Sequence, residues 1–252
     1  MNQHFFTMKT FVLLFPVVLL VACQRPQSKS DTQETTASIT SDSVSPGPSP
    51  VSVDTIAAPA GLTKLGTATG DLDKDGRPET VIVYDSQRES KDEMGTEREL
   101  HIFKMKDGKW ELWHKSLGAV MPSQSGGMMG DPFQQVTIEN GCIVLHHFGG
   151  SREKWTNMHR FRFQDDDWKL IGATVNFGAP CEYWTNFDYN LSTGKIVYEK
   201  KTEDCSESAE KPKTTKISKS FTHKLKLLPG MDEFKPGENE VKLPGLEDTF
   251  YF

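Results

Sequence analysis

The sequence predicts an all-β domain, and three observations carry that prediction. Short segments of alternating apolar and polar residues recur between residues 60 and 252. The pairs Asp107-Gly108 and Asn140-Gly141 each separate two such segments, and these pairs are strong hairpin signals because both central residues adopt positive φ. No stretch has the apolar period of a long helix. The fold class is therefore all-β, built as a meander of hairpins.

Four predicted hairpins follow one another along the chain, each with two short strands around a turn: 100–113, 136–145, 159–171 and 187–198. They share no strong sequence motif, so a small propeller-like domain, a barrel and a sandwich all remain open as architectures. The third turn, Asp165 to Asp167, is acidic. It is either a solvated turn or a second cation site.

The N-terminus has the pattern of an export signal. An apolar run over residues 11–21 follows Lys9 and is too short to cross a bilayer comfortably. It ends in Leu20-Val21-Ala22-Cys23, which resembles the lipobox of bacterial lipoproteins. That resemblance implies a signal peptide over residues 1–22 and a mature chain anchored in a lipid bilayer through acylated Cys23. Gln24 follows the cysteine instead of an aspartate, which favours the outer membrane. Residues 25–28 lack the acidic cluster that often marks export to the cell surface, which favours the periplasmic face.

Residues 23–59 are rich in Ser, Thr and Pro and contain few bulky apolar side chains. Such a segment buries too little surface to offset the entropy of ordering, so the sequence predicts a disordered tether. The remaining residues, 60–252, are enough for one domain with a substantial core. The formal net charge of −6 argues against binding to nucleic acid.

The most specific chemical signal lies between Asp71 and Glu79. Asp71, Asp73 and Asp75 alternate along the chain, and a glycine follows the third aspartate. Calcium takes about six to eight oxygen ligands from a tightly curled loop. The three aspartates and Glu79 would supply side-chain oxygens, and Arg77 would supply its backbone carbonyl. The sequence therefore predicts a calcium site, with a solvated acidic turn as the alternative.

This loop differs from the helix–loop–helix type of calcium site. Its twelfth position is Ile82 instead of the bidentate glutamate that such sites use. A β-branched run follows, which predicts a strand. The arrangement strand, loop, strand resembles the FG-GAP type of calcium loop in integrin-like β-propellers, and this resemblance implies the local structure only.

The cysteines divide into three kinds. Cys23 is the lipidation site. Cys181 and Cys205 lie at equal distances from Thr193 and would face each other at the open end of one hairpin, so we expect a disulfide in an oxidising compartment. Cys142 has no evident partner and is expected to pack as a small buried side chain.

Two glycine-rich stretches, 125–133 and 146–155, flank the second hairpin and leave its sheet at the same end. Met, Trp and Arg side chains are common in recognition surfaces. The candidate partner-binding residues are Met128, Met129, Ser151, Arg152 and Trp155. The alternative is a pair of ordinary loops with Trp155 packed in the core.

The runs 130–133, 138–141, 149–151, 161–163 and 168–172 resemble those of a family of uncharacterised secreted bacterial β-proteins that carry an Asp-x-Asp-x-Asp-Gly loop. A more distant similarity is to periplasmic calcium-binding inhibitors of lysozyme-like peptidoglycan hydrolases. Those inhibitors insert a small polar loop into an acidic catalytic cleft. Gly150-Ser151-Arg152 has the chemistry of such a loop because a guanidinium binds paired carboxylates.

The sequence does not favour catalysis. His146 and His147 are adjacent, so on a strand they point to opposite faces and cannot share a metal. The common hydrolase and phosphate-binding motifs are absent. We expect a non-catalytic binding protein that acts on a peptidoglycan hydrolase. The alternatives are a module that binds cell-wall glycan and a cell-wall hydrolase that uses two of the many acids.

Overall fold

A computed structural model describes residues 53–205 and 213–252. The predicted signal peptide, Cys23 and residues 23–52 of the predicted tether lie outside the described residues. The described part contains β-strands and one short 3-10 helix, Val53–Thr55, so the all-β prediction is confirmed. None of the helical structure in it has the length and apolarity that crossing a membrane requires.

The first sheet has four antiparallel strands in chain order: β1 (Thr63–Gly70), β2 (Glu79–Glu89), β3 (Thr96–Lys106) and β4 (Lys109–Ser116). The acidic loop connects β1 to β2, as the sequence predicts. Asp107 and Gly108 form the turn between β3 and β4 with φ of 49° and 73°. The β-branched run of β2 forms the centre of the sheet and is buried from Glu79 to Tyr84.

The second sheet has seven antiparallel strands, again adjacent in chain order: β5 (Phe133–Glu139), β6 (Cys142–Gly150), β7 (Lys154–Gln164), β8 (Asp167–Ala179), β9 (Tyr183–Asn190), β10 (Lys195–Asp204) and β11 (Lys213–Thr222). Asn140 and Gly141 form the first turn with φ of 53° and 73°. Asp165 and Asp166 also have positive φ, at 54° and 57°. The predicted hairpins are therefore present in the predicted order.

Neither sheet closes on itself. The seven-stranded sheet has β5 and β11 as its edge strands, and the four-stranded sheet has β1 and β4 as its edge strands. The closed barrel that the sequence left open is not formed. A third, two-stranded sheet pairs β12 (Glu240–Lys242) with β13 (Thr249–Tyr251) near the C-terminus.

The two large sheets pack where β1 meets β5. A Cβ at Gly70 would lie 2.7 Å from the Ile138 side chain, and a Cβ at Gly66 would lie 3.1 Å from the Phe133 ring. These close approaches leave little room for a side chain at either position, which explains the two glycines of β1. One apolar core then runs through both sheets.

The C-terminal segment completes that core. Phe234, Phe250 and Phe252 are buried, and the Phe250 ring stacks on Phe187 of β9 with centroids 4.4 Å apart. Burying each such ring stabilises the fold by about 1.5–3 kcal/mol. The chain end thus holds the seven-stranded sheet from one side, and only Tyr251 of the last three residues is exposed.

The cysteine predictions are confirmed within the described residues. Cys181 and Cys205 form a disulfide with Cα atoms 5.2 Å apart, at the open end of the β9–β10 hairpin. Cys142 is a buried free thiol at the start of β6. Ile56 is also buried and packs with Ile82 and Tyr84, so the last residues of the predicted tether contact the first sheet.

One buried carboxylate lies within a network of cationic partners. Glu99 on β3 is bonded to Arg88 at 2.7 Å, to Lys115 at 2.9 Å and to the His101 ring at 2.7 Å. Burial by itself would raise the pKa of Glu99. The hydrogen bonds from Lys115, Arg88 and His101 outweigh burial and bring the pKa down to about 2.

Candidate functional sites

The acidic loop is curled around its own carboxylates. Asp71 accepts hydrogen bonds from the backbone N–H groups of Lys74 at 2.6 Å and Gly76 at 3.1 Å. Asp73 accepts from the N–H of Asp75, and Asp75 accepts from that of Arg77. Lys74 and Gly76 have φ of 65° and 83°, which gives the loop its tight curvature. Aspartates at alternate positions fold the loop this way because their short side chains reach N–H groups a few residues ahead.

Three of the predicted ligands converge. Carboxylate oxygens of Asp71, Asp73 and Glu79 all lie within 4.8 Å of one another. These three carboxylates form the cluster of potential metal ligands found among the described residues. Asp75 is not a member of the group, and its carboxylate lies 3.8 Å from Lys104 Nζ. The roles of Asp75 and of the Arg77 carbonyl stay predictions.

Glu79 provides a test of whether these residues fit a cation. Its side chain is fully buried at the start of β2, and its Oε2 accepts a hydrogen bond from Leu72 N at 2.7 Å. Its Oε1 is buried without a hydrogen-bond partner. Burial raises the pKa of Glu79. A buried carboxylate oxygen without a partner is costly, and a bound cation would compensate it, so the residues fit a metal ion.

Lys104 on β3 is a member of this site that sequence reasoning missed. Its ammonium group contacts Asp73 and lies 5.2 Å from the centre of the Trp113 ring. Burial would raise the pKa of Asp73, but the hydrogen bond from Lys104 lowers it. In the sequence, Lys104 appears only as a polar residue that alternates with apolar ones. That pattern predicts a strand but does not indicate that the strand lies next to the acidic loop.

The two glycine-rich stretches meet, and we call residues 126–130 and 150–152 the loop platform. Gly127 and Gly150 form a β-bridge, and Gly150 N donates to Gly126 O at 2.9 Å. Gly126 N in turn donates to Gly130 O at 3.0 Å. The glycines are needed here because a Cβ at Gly126 would lie 2.3 Å from Gly130 O. Backbone hydrogen bonds therefore fix the shape of the platform.

The platform presents four of the five candidate partner-binding residues. Met128 is 86 % exposed, and Met129 and Ser151 are also exposed. The Arg152 side chain is 73 % exposed and pairs with Glu182. Two adjacent exposed methionines on a surface whose backbone is fixed by hydrogen bonds mark a candidate contact site.

Trp155, the fifth candidate, packs beside the platform. It is half-buried on β7, where it is paired with Gly149 of β6. A Cβ at Gly149 would lie 2.3 Å from the Trp155 ring, so the indole packs over the glycine. The ring forms part of the lining of a cleft beside the platform.

This cleft has a volume of about 950 Å³ and was not predicted from the sequence. Its floor is formed by neighbouring residues of three strands: Trp155 and Asn157 of β7, Val175 and Phe177 of β8, and Thr185 of β9. Its walls come from residues 90–98, from the β4–β5 connection and from the C-terminal segment. Sequence patterns could not reveal it, because the walls are far apart along the chain.

Two buried histidines lie next to Asn157 on the face of the sheet that forms the floor: His147 is paired with Asn157 across β6 and β7, and His159 is two residues further along β7. His159 is fully buried with no partner for either ring nitrogen, and burial holds its pKa well below the ordinary value. His147 accepts a hydrogen bond from Met121 N at 3.3 Å, and burial lowers its pKa to about 3. His146 is half-buried, so the adjacent histidines differ in environment as the sequence predicts. His146, His147 and His159 do not belong to any cluster of potential metal ligands among the described residues.

The acidic turn at residues 165–167 does not form a second group of this kind within the described part of the chain. Asp167 accepts a hydrogen bond from Trp168 N at 2.7 Å and pairs with Lys169 at 2.5 Å. Asp165 and Asp166 are exposed turn residues.

Comparisons of the chain with protein-family models, with curated proteins and with solved structures found no match.

Proposed function

We propose that the protein is a lipid-anchored binding protein of the cell envelope, with a β-domain that calcium stabilises and without catalytic activity of its own. The loop platform carries this proposal. It combines exposed Met128, Met129 and Arg152 with a backbone that hydrogen bonds hold in place. A pre-shaped surface loses little entropy on binding, which is the property of an inhibitory or recognition loop.

Calcium is the cation proposed for Asp71, Asp73 and Glu79. The donors are all oxygens, and the short loop supplies them from one side while water can complete the shell. Asp75 and the Arg77 carbonyl are the further ligands proposed. The bound ion would fix the start of β2, the central strand of the first sheet. Its proposed role is structural.

Lysozyme-like peptidoglycan hydrolases are the proposed partner class. Their catalytic clefts contain paired carboxylates, which a guanidinium can bind with two parallel hydrogen bonds. Arg152 already pairs with a carboxylate, that of Glu182. On docking it would exchange this exposed pair for the acids of the hydrolase, while Met128 and Met129 would contact the apolar rim.

The proposed anchor is acylated Cys23, which would hold the protein on the periplasmic face of the outer membrane. Residues 24–52 would serve as a spacer. A spacer of this length lets a domain reach the peptidoglycan layer while remaining attached to the bilayer.

The test is a cell-wall turbidity assay with the full chain in liposomes and a panel of lysozyme-like hydrolases. We expect lysis to slow stoichiometrically in calcium and to recover with chelator. Arg152→Ala and Met128→Ser should each restore lysis with unchanged thermal stability. Leu227→Ser is the matched control, because Leu227 is as exposed as Met128 but lies outside the platform. Unchanged lysis with every hydrolase would contradict the inhibitor proposal, and lysis by the protein alone would contradict the non-catalytic one.

Binding of cell-wall glycan is the second candidate function. The cleft favours it, because an open cleft with aromatic residues in its floor and wall suits sugar rings better than the small platform does.

A further inference from the structure

The cleft beside the loop platform has the composition of a small-molecule site. Trp155 and Phe177 lie opposite each other on neighbouring strands of its floor, and Tyr251 forms part of the facing wall. Tyr251 is 49 % exposed, although the residues on either side of it are buried. Aromatic faces on two sides of an open cleft are suited to flat, ring-shaped groups with C–H bonds on their faces.

Charge narrows the class of ligand. Carboxylates outnumber cations among the lining residues, which disfavours anionic ligands. Most of these carboxylates already have partners, however. Lys235 lies 3.9 Å from Asp92 and 3.4 Å from Glu238. Asp248 accepts a hydrogen bond from Tyr198 at 2.7 Å and pairs with Lys200 at 3.2 Å.

Two further lining carboxylates are also paired. Glu97 lies 3.3 Å from Arg88, and Asp232 lies 2.9 Å from the His114 ring. The cation of the inner wall, Arg98, is buried and pairs with both Asp85 and Asp131. Lys235 and Arg98 are each shared between two carboxylates, so the lining keeps an excess of negative charge. An anionic ligand is therefore disfavoured.

The floor and inner wall also offer polar groups that need partners. Asn157 Oδ1 is buried with no hydrogen-bond partner, and Arg98 Nε lacks one as well. The first atom accepts and the second donates, so a hydroxyl group is chemically suited to both. Leaving such buried groups unpaired is unfavourable, so a ligand rich in hydroxyls would gain by pairing them.

We propose that this cleft binds a neutral oligosaccharide, with sugar rings against Trp155, Phe177 and Tyr251 and hydroxyl groups directed to Asn157 and Arg98. The volume of about 950 Å³ is enough for several sugar rings. An apolar chain would leave Asn157 Oδ1 and Arg98 Nε without partners. The site is separate from the loop platform, so it does not depend on inhibition of a hydrolase.

The experiment is a titration of the full chain in lipid nanodiscs with chitotetraose and cellotetraose, which are neutral. Fully deacetylated chitotetraose and tetragalacturonate are the cationic and anionic comparators. We expect saturable heat and tryptophan quenching with at least one neutral sugar and none with tetragalacturonate. Trp155→Phe should abolish most of the quenching, because the other tryptophans lie outside the cleft.

Tyr251→Ser is the main affinity variant, because this exposed side chain can be removed without opening the core. It should weaken binding of the neutral sugar about tenfold, and Asn157→Ala should weaken it by a similar factor. Arg152→Ala, on the platform, should leave the affinity unchanged. Equal affinity of the Tyr251→Ser variant, binding of a charged comparator only, or no saturable binding of either neutral sugar would each overturn the proposal.

Because the two sites are distinct, the outcomes can be separated. Loss of hydrolase inhibition in Arg152→Ala with intact sugar binding would support both sites. Sugar binding with no inhibition of any hydrolase would support the cleft and refute the platform. Inhibition that persists without sugar binding would overturn the cleft alone.

Discussion

Replacing Glu79 with glutamine is the sharpest test of the calcium site. Glutamine keeps the shape of the side chain and an oxygen that can accept the hydrogen bond from Leu72 N. It removes the negative charge from the buried group formed with Asp71 and Asp73. The variant therefore separates the effect of charge at this position from the effect of packing.

The structure gives the expected magnitude. Two carboxylates at the 4.8 Å limit of this group repel each other by about 3 kcal/mol at an effective dielectric constant of about 20. Lys104 offsets part of that repulsion through its contact with Asp73. Without metal, Glu79→Gln should therefore be at least as stable as the wild type.

In calcium the wild-type protein should be more stable than Glu79→Gln. Free calcium at about a hundredfold excess over its Kd stabilises the wild-type protein by about 2.7 kcal/mol, or a rise in Tm of about 5–10 °C. Glu79→Gln should lose most of that rise because the cation no longer has its buried carboxylate ligand. The assay is thermal unfolding followed by circular dichroism, in calcium and in chelator.

Asp166→Asn is the matched control, because Asp166 is an exposed acid in a turn with positive φ, which asparagine tolerates. It should respond to calcium like the wild type. An equal calcium response in Glu79→Gln and the wild type, or no response in either, would refute the reasoning.

Three further predictions concern stability. The Glu99 pKa of about 2 lies below the unfolded value of 4.5, so the stability that ionised Glu99 contributes is present above pH 4.5 and is lost as the pH falls towards 2. In Glu99→Gln, the free energy of unfolding should no longer fall by the corresponding amount of about 3 kcal/mol over this range. Urea unfolding measured as a function of pH checks this. Buried His159 stays neutral in the folded protein, whereas the unfolded chain binds a proton there below pH about 6.5, so the folded state loses stability as the pH falls. His159→Leu should reduce that loss of unfolding free energy between pH 6.5 and 4. An unchanged dependence of stability on pH would contradict this reasoning. Replacing Cys181 and Cys205 with serine should cost about 3 kcal/mol in urea unfolding while the calcium response persists, and a loss near zero would contradict it.

Local patterns in the sequence were sufficient for much of the fold. The Asn140-Gly141 turn, the strand that begins at Glu79 and the Cys181–Cys205 disulfide were each predicted, because each depends on residues close together in the chain. Positive φ at Asn-Gly and the β-preference of a β-branched run are properties of a few adjacent residues. The meeting of the two glycine-rich stretches followed from their positions on either side of one hairpin.

The site was only partly predictable. The sequence indicated Asp71, Asp73 and Glu79 as ligands but not that Glu79 is fully buried with an unpaired oxygen. Burial depends on β3 and its neighbours, which lie beyond the loop in sequence. Trp155 was predicted to bind a partner together with Met128, but the sequence did not indicate that its ring packs on Gly149 and lines a cleft.

The sequence by itself determined the elements: which residues turn, which extend, where the acidic loop begins and which cysteines can meet. These features follow from backbone preferences and side-chain periods over a few residues. Tertiary structure alone decided that the sheets stay open, that Lys104 lies beside the acidic loop and that residues from 90 to 251 enclose one cleft. Those features depend on contacts between distant segments, which are set by how the complete core packs.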